Sequence, residues 1–359
     1  MVLDEKFVCN KERLKLFFYT MYERQQIWYR RFVLNLPKEE WTTNEFYSKY
    51  RFTNVYRELD RTSQYLIKNI ILNKECWHKY NNDEENNINL VWKILFYRMI
   101  NNPRIYTSID VIDDFDNYDP DKFYNYLKEN VINKDISFGH GAFLQCTKKS
   151  IIDENGNTIN YENSCEYFAK RLLCKLHEHT KDIYQFMKDS FSSNKTAYDF
   201  IKFIANNLES VGKFMAHELF QDLCYIKQYI DLDLMKYDAN SATNAGPGST
   251  GGTKYIYSNV CEKADVHKII EYLRDISEES LKEIQKEYFP DSDGFYYIEW
   301  DKEAKQYKRS NFNFTLNQIE MWLCEYYKYV KYSTNKSDNK INGKYRKYDN
   351  THNTFSLLY

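Results

Sequence analysis

Apolar positions recur at helical spacing along most of the chain. Between residues 10 and 34 they alternate with arginines, which predicts a long basic helix that Pro37 closes. The same spacing predicts further helices over 55–72, 88–100, 119–131, 163–191, 195–208, 209–224, 263–276, 278–289 and 315–330. Asn54 is the expected N-cap of the helix 55–72, the helix 119–131 begins with the N-capping residue Asp119, and Thr315 with Gln318 has capping-box spacing. The segment 88–100 is nearly continuous in apolar character, which predicts a central helix. Because only 295–314 suggests a small β-hairpin, the pattern predicts an all-α fold.

Composition supports a helical core and places limits on partners. The chain has 34 Tyr and 23 Phe against 5 Pro and 10 Gly, which supplies large side chains and few helix breakers. The net charge of -2 means that any nucleic-acid site must be local. The eight cysteines show no metal-ligand spacing, so we expect reduced thiols and no metal site. No apolar run could cross a bilayer, so we expect a soluble, intracellular protein without a membrane partner.

The first group of candidate residues lies around the start of the predicted helix 55–72. Arg57, Asp60, Arg61 and Gln64 have helical spacing and follow Asn54. Guanidinium groups bind phosphate oxygens in pairs, and a nearby carboxylate can orient them. The alternative is a solvated helix face with ordinary ion pairs, which is the commoner meaning of such spacing.

The second group is the glycine-rich stretch 237–254. Gly246, Gly248 and Gly251 could form a hairpin whose backbone N–H groups contact a DNA phosphate. A flexible linker explains the same composition equally well. A nucleotide-binding P-loop is excluded because its motif is absent from the chain.

The third group lies on the predicted helix 315–330. Glu325 and Lys328 face away from its apolar side, where they could act as general base and phosphate contact or form an exposed salt bridge. A basic tail over 331–359 contains Lys344 and Arg346 and suits nonspecific DNA contact or a disordered end. An acidic run between residues 110 and 121 could hold Mg²⁺, although a solvated loop is the simpler interpretation.

Several sequence blocks occur together in one order. They are YERQQIWYRRF (22–32), the P-x-x-x-W-T segment (37–42), RFTNVYRELDR (51–61), ILFYRMIN (94–101), GKFMAHELFQDL (212–223), AGPGSTGG (245–252) and LCEYYKY (323–329). Through them the chain resembles the α-glutamyl/putrescinyl thymine pyrophosphorylase clade and the related helical domain of 5-hydroxymethyluracil DNA kinases. The resemblance covers most of the chain, but Ser249 and Thr250 stand where the family usually has a basic residue in the hairpin.

The resemblance implies a fold and a place in thymine hypermodification. The expected fold is a helix-hairpin-helix DNA-glycosylase-like bundle, with one domain over 1–330, a hairpin at 245–252 and an insertion at about 254–313. The implied reaction belongs to phage or viral pathways, in an infected cell's cytoplasm or in a nucleus. There an amine, such as an amino acid or polyamine, replaces pyrophosphate on an activated 5-hydroxymethyluracil base that is flipped out of double-stranded DNA.

This chemistry assigns roles to the candidate residues. Glu325 or Asp60 would accept the proton of the amine, with Lys328 nearby. Tyr22, Trp28 or Tyr56 could stack on the base. The diphosphate and the uracil edge would be bound by Arg24, Arg57, Arg61, Arg98, Asn54 and Gln64. The resemblance implies no certain cofactor, and Mg²⁺ could assist.

Two other functions are compatible with the same residues. One is a DNA glycosylase or lyase that removes a modified base. The other is a non-catalytic DNA-binding helical module that works with a separate DNA kinase, since this chain has no Walker motif.

Overall fold

The structure, a computed structural model, describes residues 3–106, 114–135, 149–152 and 155–334. Secondary structure in these ranges is mainly helical, which confirms the helical prediction. The α-helices are α1 (Lys11–Phe32), α2 (Glu45–Lys49), α3 (Arg61–Leu66), α4 (Lys74–Trp77), α5 (Asp83–Ile100), α6 (Pro103–Tyr106), α7 (Pro120–Leu127), α8 (Ser164–Tyr167), α9 (Leu173–Asp189), α10 (Ala197–Asn207), α11 (Lys213–Ile230), α12 (Pro247–Ile256), α13 (Lys263–Tyr288) and α14 (Leu316–Thr334).

Short strands and tighter or wider helical turns complete the described secondary structure. The strands form three antiparallel pairs: β1 (Val8–Cys9) with β4 (Tyr257–Ser258), β2 (Ser150–Ile152) with β3 (Thr158–Asn160), and β5 (Ile298–Asp301) with β6 (Gln306–Arg309). The last pair confirms the predicted hairpin. The 3₁₀ turns are Lys38–Glu40, Arg57–Leu59 and Phe115–Asn117, and the π turns are Ile67–Ile71, Lys128–Ile132 and Phe168–Leu172.

The chain divides into two compact units. The first comprises Met1–Arg61 and Ala242–Tyr359, and the second comprises Thr62–Ser241. The sequence predicts one domain over 1–330, and this stays a prediction. The first unit combines residues from both ends of the chain.

Helices α1, α12, α13 and α14 pack together in the first unit. Helix α1 begins at Lys11 because the Asn10 side chain accepts a hydrogen bond from the backbone N–H of Arg13 at 3.1 Å. Its buried face includes Phe17, which contacts the ring of Tyr326 edge-on at 5.4 Å. The indole of Trp322, on α14, donates to the carbonyl oxygen of Phe17 at 3.3 Å. Aromatic packing therefore fixes α14 against α1.

Segment 245–252 is not a hairpin. It forms the N-cap region and first turns of α12, because Pro247 at the first helical position is preorganised for a helix. The glycines allow α12 to approach α14 closely: a Cβ on Gly248 would lie 2.7 Å from Cys324 Sγ, and one on Gly252 would lie 2.5 Å from the Leu323 carbonyl oxygen. The glycine-rich composition thus reflects close helix packing.

The predicted helix 55–72 is interrupted at its start. Residues 57–59 form a 3₁₀ turn, Asp60 is extended (φ -74°, ψ 141°), and α3 begins only at Arg61. Asn54 is therefore not a helix N-cap, and the expected helical stripe of Arg57, Asp60 and Arg61 does not form. The physical reason is that the side-chain oxygen of Asn54, which would cap a helix, instead accepts a hydrogen bond from Arg24 of α1.

The remaining helices of the first unit largely follow their sequence signals. The capping box of α14 is confirmed, because the Thr315 backbone N–H donates to Gln318 Oε1 at 2.7 Å and the Gln318 N–H donates to Thr315 Oγ1 at 3.4 Å. Helix α13 is continuous, whereas two helices were predicted. Its buried Ser277 donates to the Leu273 carbonyl within the helix, so the polar residue does not end it.

The second unit is built around α5, which packs against α9 and α11. Nearly all of α5 after its first turn is buried, as its continuous apolar run predicted. The predicted N-cap of α7 is confirmed, because Asp119 accepts from the backbone N–H groups of Asp121 and Lys122, both at 3.0 Å. Throughout the described part of the chain, no helix combines the length and apolarity needed to cross a membrane.

Candidate functional site

Segment 51–60 of the first unit organises the most concentrated group of candidate residues. Arg24 of α1 donates through NH2 to Asn54 Oδ1 at 2.7 Å. The backbone N–H and the Nδ2 group of Asn54 donate to Asp60 Oδ1 at 3.0 and 2.9 Å. Nδ2 also donates to the carbonyl of Leu59 at 3.0 Å. Asn54 therefore links the guanidinium group of Arg24 to the Asp60 carboxylate.

Helix α14 contributes two further charged groups to this segment. Glu325 Oε2 accepts from the backbone N–H of Thr53 at 3.0 Å and from Lys328 Nζ at 3.1 Å. Lys328 also donates to the carbonyl of Arg51 and lies 4.6 Å from the centre of the Phe52 ring. The side chain of Glu325 is only 13% exposed and that of Lys328 only 21%. They therefore form a partly buried pair and not the exposed salt bridge that was the alternative interpretation of the sequence.

We call Arg24, Asn54, Asp60, Glu325 and Lys328 the polar cluster. Its members come from α1, segment 51–60 and α14, which are distant along the chain and meet in the first unit. Two carboxylates and two cations thus share one partly buried region.

The electrostatics of the polar cluster favour a proton acceptor. The pKa of Asp60 is raised to about 6, mainly by burial and in smaller part by the negative charge of Glu325. The hydrogen bond from the Asn54 backbone N–H and the charges of Arg24 and Arg57 act in the opposite direction. A carboxyl group with this pKa is largely ionised at neutral pH yet more basic than an ordinary aspartate. Such a group suits general-base catalysis near neutral pH.

Glu58 is a buried acid that the sequence analysis missed. Burial raises its pKa to about 7, although Gln318 and Arg57 lower it. Gln318 Nε2 donates to Glu58 Oε1 at 3.4 Å, and the side chain has 6% exposure. A signal was present in the sequence, because Glu58 stands between the large apolar residues Tyr56 and Leu59. Both of these neighbours are buried in the structure.

Arg57 is near these acids but is itself buried. Its positive charge acts on both Asp60 and Glu58, and its residue exposure is 5%. Arg57 therefore stabilises the ionised forms of neighbouring carboxyl groups, and its expected contact with a diphosphate stays a prediction. Arg61 is half-buried at the first residue of α3.

Two predicted substrate contacts belong to the second unit. Gln64 is half-buried on α3. Arg98 is in the core: its NH2 group donates to Asp222 Oδ1 at 2.8 Å and its NH1 group donates to Asn101 Oδ1 at 2.9 Å. Both charged partners are almost fully buried, with side-chain exposures of 1% and 0%. The structure thus corrects the substrate-binding role of Arg98 to that of a buried ion pair.

The predicted DNA contacts of the glycines are also revised. Gly248 and Gly251 face Cys324 and Tyr327 of α14, so another helix fills the side of each glycine on which a side chain would stand. Gly246 is the N-cap of α12. Lys344 and Arg346, the basic residues of the tail, lie outside the described residues.

The three aromatic candidates for base stacking are core residues. Tyr22, Trp28 and Tyr56 have exposures of 0%, 1% and 0%. Tyr22 instead stacks on Phe289 with ring centres 4.5 Å apart, and the Tyr56 hydroxyl donates to Asn313 at 2.9 Å. Their aromatic surfaces are occupied by the protein itself.

No metal site is apparent within the described ranges, where no group of three or more His, Cys, Asp or Glu residues is close enough to hold an ion. The described part of the acidic run forms ion pairs instead. Asp114 pairs with Lys93 at 2.9 Å and Asp121 with Lys170 at 2.8 Å. Asp110 and Asp113 lie outside the described residues.

Comparison with known protein families shows which family this chain is related to. A family model described as "5-hmdU DNA kinase, helical domain" matches residues 11–339. The chain belongs to this family. The match includes every residue of the polar cluster, so these groups lie in the helical domain that defines the family.

A curated relative of this helical domain extends well beyond it. The 5-hmdU DNA kinase of Bacillus phage SP10 is 24% identical over 319 residues, which cover 88% of this chain and 45% of the phage protein. The chain therefore spans just under half the length of that kinase. No solved structure matches the chain.

Proposed function

We propose that this helical domain acts in DNA thymine hypermodification, as a transferase that replaces pyrophosphate with an amine on an activated 5-hydroxymethyluracil base. The observation that supports this is the polar cluster, which holds two carboxylates and two cations around segment 51–60. The relation to the helical domain of 5-hmdU DNA kinases supports the choice of DNA and of this base.

In the proposed reaction, Asp60 accepts a proton from the amine, because an ammonium group has no lone pair to attack with. The nitrogen lone pair then attacks the methylene carbon on the base. The C–O bond breaks, and its electron pair leaves with pyrophosphate. Arg24 and Lys328 are the cluster's cations, and their charge would offset the negative charge that develops on the leaving group.

Glu325 has a supporting part in this proposal. It holds Lys328 in place and, by its negative charge, raises the pKa of Asp60. Asn54 orients the Asp60 carboxylate through two hydrogen bonds to the same oxygen, Oδ1. In the proposed reaction the other oxygen, Oδ2, accepts the proton.

The test is to incubate purified protein with duplex DNA that carries one 5-hydroxymethyluracil diphosphate and with a pool of amino acids and polyamines. Nucleoside mass spectrometry should detect a new base, together with released pyrophosphate. We expect Asp60→Asn to lower the rate at least about 100-fold, as loss of a general base does. Glu278→Gln, on the exposed surface of α13, is the matched control and should retain the wild-type rate.

The results distinguish the candidate functions. Full activity of Asp60→Asn would refute the assignment of the base. Release of a free base without pyrophosphate would indicate a glycosylase instead.

A second candidate is an accessory DNA-binding module for a kinase. The specific observation that favours it is the length of the phage relative, in which the matching region is 45% of a longer protein. DNA binding without turnover by the isolated chain, and stimulation of a separate 5-hydroxymethyluracil kinase by its addition, would support this function.

A further inference from the structure

Three exposed cations of the first unit lie on α12 or beside it, next to two tyrosines. The Arg13 guanidinium carbon lies 4.2 Å from the centre of the Tyr255 ring, and its NH1 group donates to the Tyr255 carbonyl at 3.0 Å. Lys331 Nζ lies 4.0 Å from the centre of the Tyr327 ring. Lys254 is exposed on α12, one residue before Tyr255. We call these five residues the basic face.

The basic face is continuous across three helices. The Tyr327 ring of α14 packs against Gly251 of α12, one helical turn before Tyr255. Tyr255 in turn lies 6.0 Å, ring centre to ring centre, from Tyr326, whose hydroxyl donates to the Arg13 carbonyl at 2.8 Å. The cations of α1, α12 and α14 are therefore held on one packed framework.

The three cations of this face are not held in ion pairs with any residue that the structure describes. Within the described residues, Arg13, Lys254 and Lys331 form no ion pair with a carboxylate, and α12 contains no acidic residue. Helix α13 is a contrast, because it intersperses acidic residues among its lysines and pairs Lys282 with Glu278 at 2.8 Å. In a chain with a net charge of -2, the basic face is thus a local concentration of positive charge.

We propose that the basic face binds the phosphodiester backbone of the DNA strand that carries the target base. Cations on an aromatic framework suit a polyanionic strand, because the phosphates pair with the positive charges and the tyrosine rings hold those cations in place. The face adjoins the polar cluster, since Lys331 follows Lys328 of that cluster by one turn of α14. The choice of DNA as the polyanion rests on the proposed function.

An anionic membrane surface is the competing ligand for a basic face. Membrane-binding faces combine cations with large apolar side chains that enter the lipid. The basic face has no such side chain, and its two aromatic residues are half-buried beneath cations. The side chains therefore favour a nucleic-acid strand.

The test is a variant in which Arg13→Gln, Lys254→Gln and Lys331→Gln are combined. Its binding to a fluorescent duplex with one central 5-hydroxymethyluracil is measured by anisotropy from 50 to 300 mM salt. If each cation contacts one phosphate, the slope of log affinity against log salt should fall by about 2 to 3, and affinity at 0.1 M salt should fall about 100-fold.

The matched control removes the same charge from another exposed surface of the same unit. Lys268→Gln, Lys282→Gln and Lys286→Gln on α13 should leave the slope unchanged and affinity within about twofold of wild type. Circular dichroism checks that both triple variants remain folded.

The outcomes separate this inference from the proposed function. If the basic-face variant binds with the wild-type slope, the inference is refuted, whether or not the protein catalyses transfer. A reduced slope in a protein that shows no transfer supports the face and counts against the transferase. Binding to phosphatidylserine vesicles but not to duplex DNA would overturn the inference in favour of a membrane.

Discussion

Gly252→Ala tests whether the glycine-rich segment is a closely packed helix. The new Cβ would lie 2.5 Å from the Leu323 carbonyl oxygen and 3.1 Å from its carbon, and these backbone atoms cannot rotate away. Overpacking of this kind costs about 1–3 kcal/mol, whereas alanine gains about 1 kcal/mol over glycine in a helix interior. The two contributions together give a loss of about 0–2 kcal/mol in the free energy of unfolding, and because the clash is with backbone atoms we expect the upper half of that range.

Gly251→Ala is the matched comparison, because the three atoms nearest to its Cβ all belong to the ring of Tyr327, a side chain that can turn aside. Its loss of stability should be smaller than that of Gly252→Ala. Urea unfolding followed by circular dichroism measures both, with unchanged m-values as the check that midpoints report stability. If Gly252→Ala is as stable as wild type or more stable, α12 does not pack on α14 at this distance.

Three further predictions concern buried charge and helix capping. Arg98→Ala should lower the free energy of unfolding by about 3–5 kcal/mol, because it leaves the Asp222 carboxylate buried without its cation. Because Glu58 has a pKa raised to about 7, the folded state binds its proton more tightly than the unfolded state. This group therefore makes wild-type stability fall as the pH rises from about 4.5 to 7, by up to about 3 kcal/mol, and Glu58→Gln should remove that fall. Thr315→Ala should cost about 1 kcal/mol, because it deletes the capping hydroxyl of α14 that accepts from the Gln318 N–H.

Urea unfolding at several pH values measures all three effects. The combined change Arg98→Met and Asp222→Leu should be less destabilising than Arg98→Ala alone, since no charge remains buried. Equal losses would contradict a buried pair. If Glu58→Gln and wild type show the same pH dependence, Glu58 does not titrate in the folded protein as described.

Local signals in the sequence predicted much of the helical architecture. The N-cap at Asp119 and the capping box of Thr315 with Gln318 were predicted correctly, because capping partners are at most three residues apart. The buried helix α5 was evident from its apolar run, and the hairpin of β5 and β6 lies within the segment 295–314, where the sequence suggested one. The family relation was also visible in the sequence, since it rests on blocks of residues in a fixed order.

The candidate site was only partly predictable. Asp60, Asn54 and Glu325 were singled out from the sequence and lie close together in the structure, whereas their roles stay predictions. Helical spacing gave the wrong local geometry for segment 51–60. Asn54 contacts Arg24, 30 residues away, and Thr53 contacts Glu325, 272 residues away. Spacing along one helix carries no information about such partners.

The sequence by itself determined where helices form, because backbone conformation responds to caps, breakers and apolar periodicity within a few residues. The tertiary structure alone decided what the polar residues do. Arg98 is a core ion pair and not a substrate contact because Asp222 comes to lie against it, 124 residues further along the chain. The glycines of α12 serve helix packing because α14 lies opposite them. Burial and partner identity arise only when distant segments meet, and these two quantities set both pKa and accessibility.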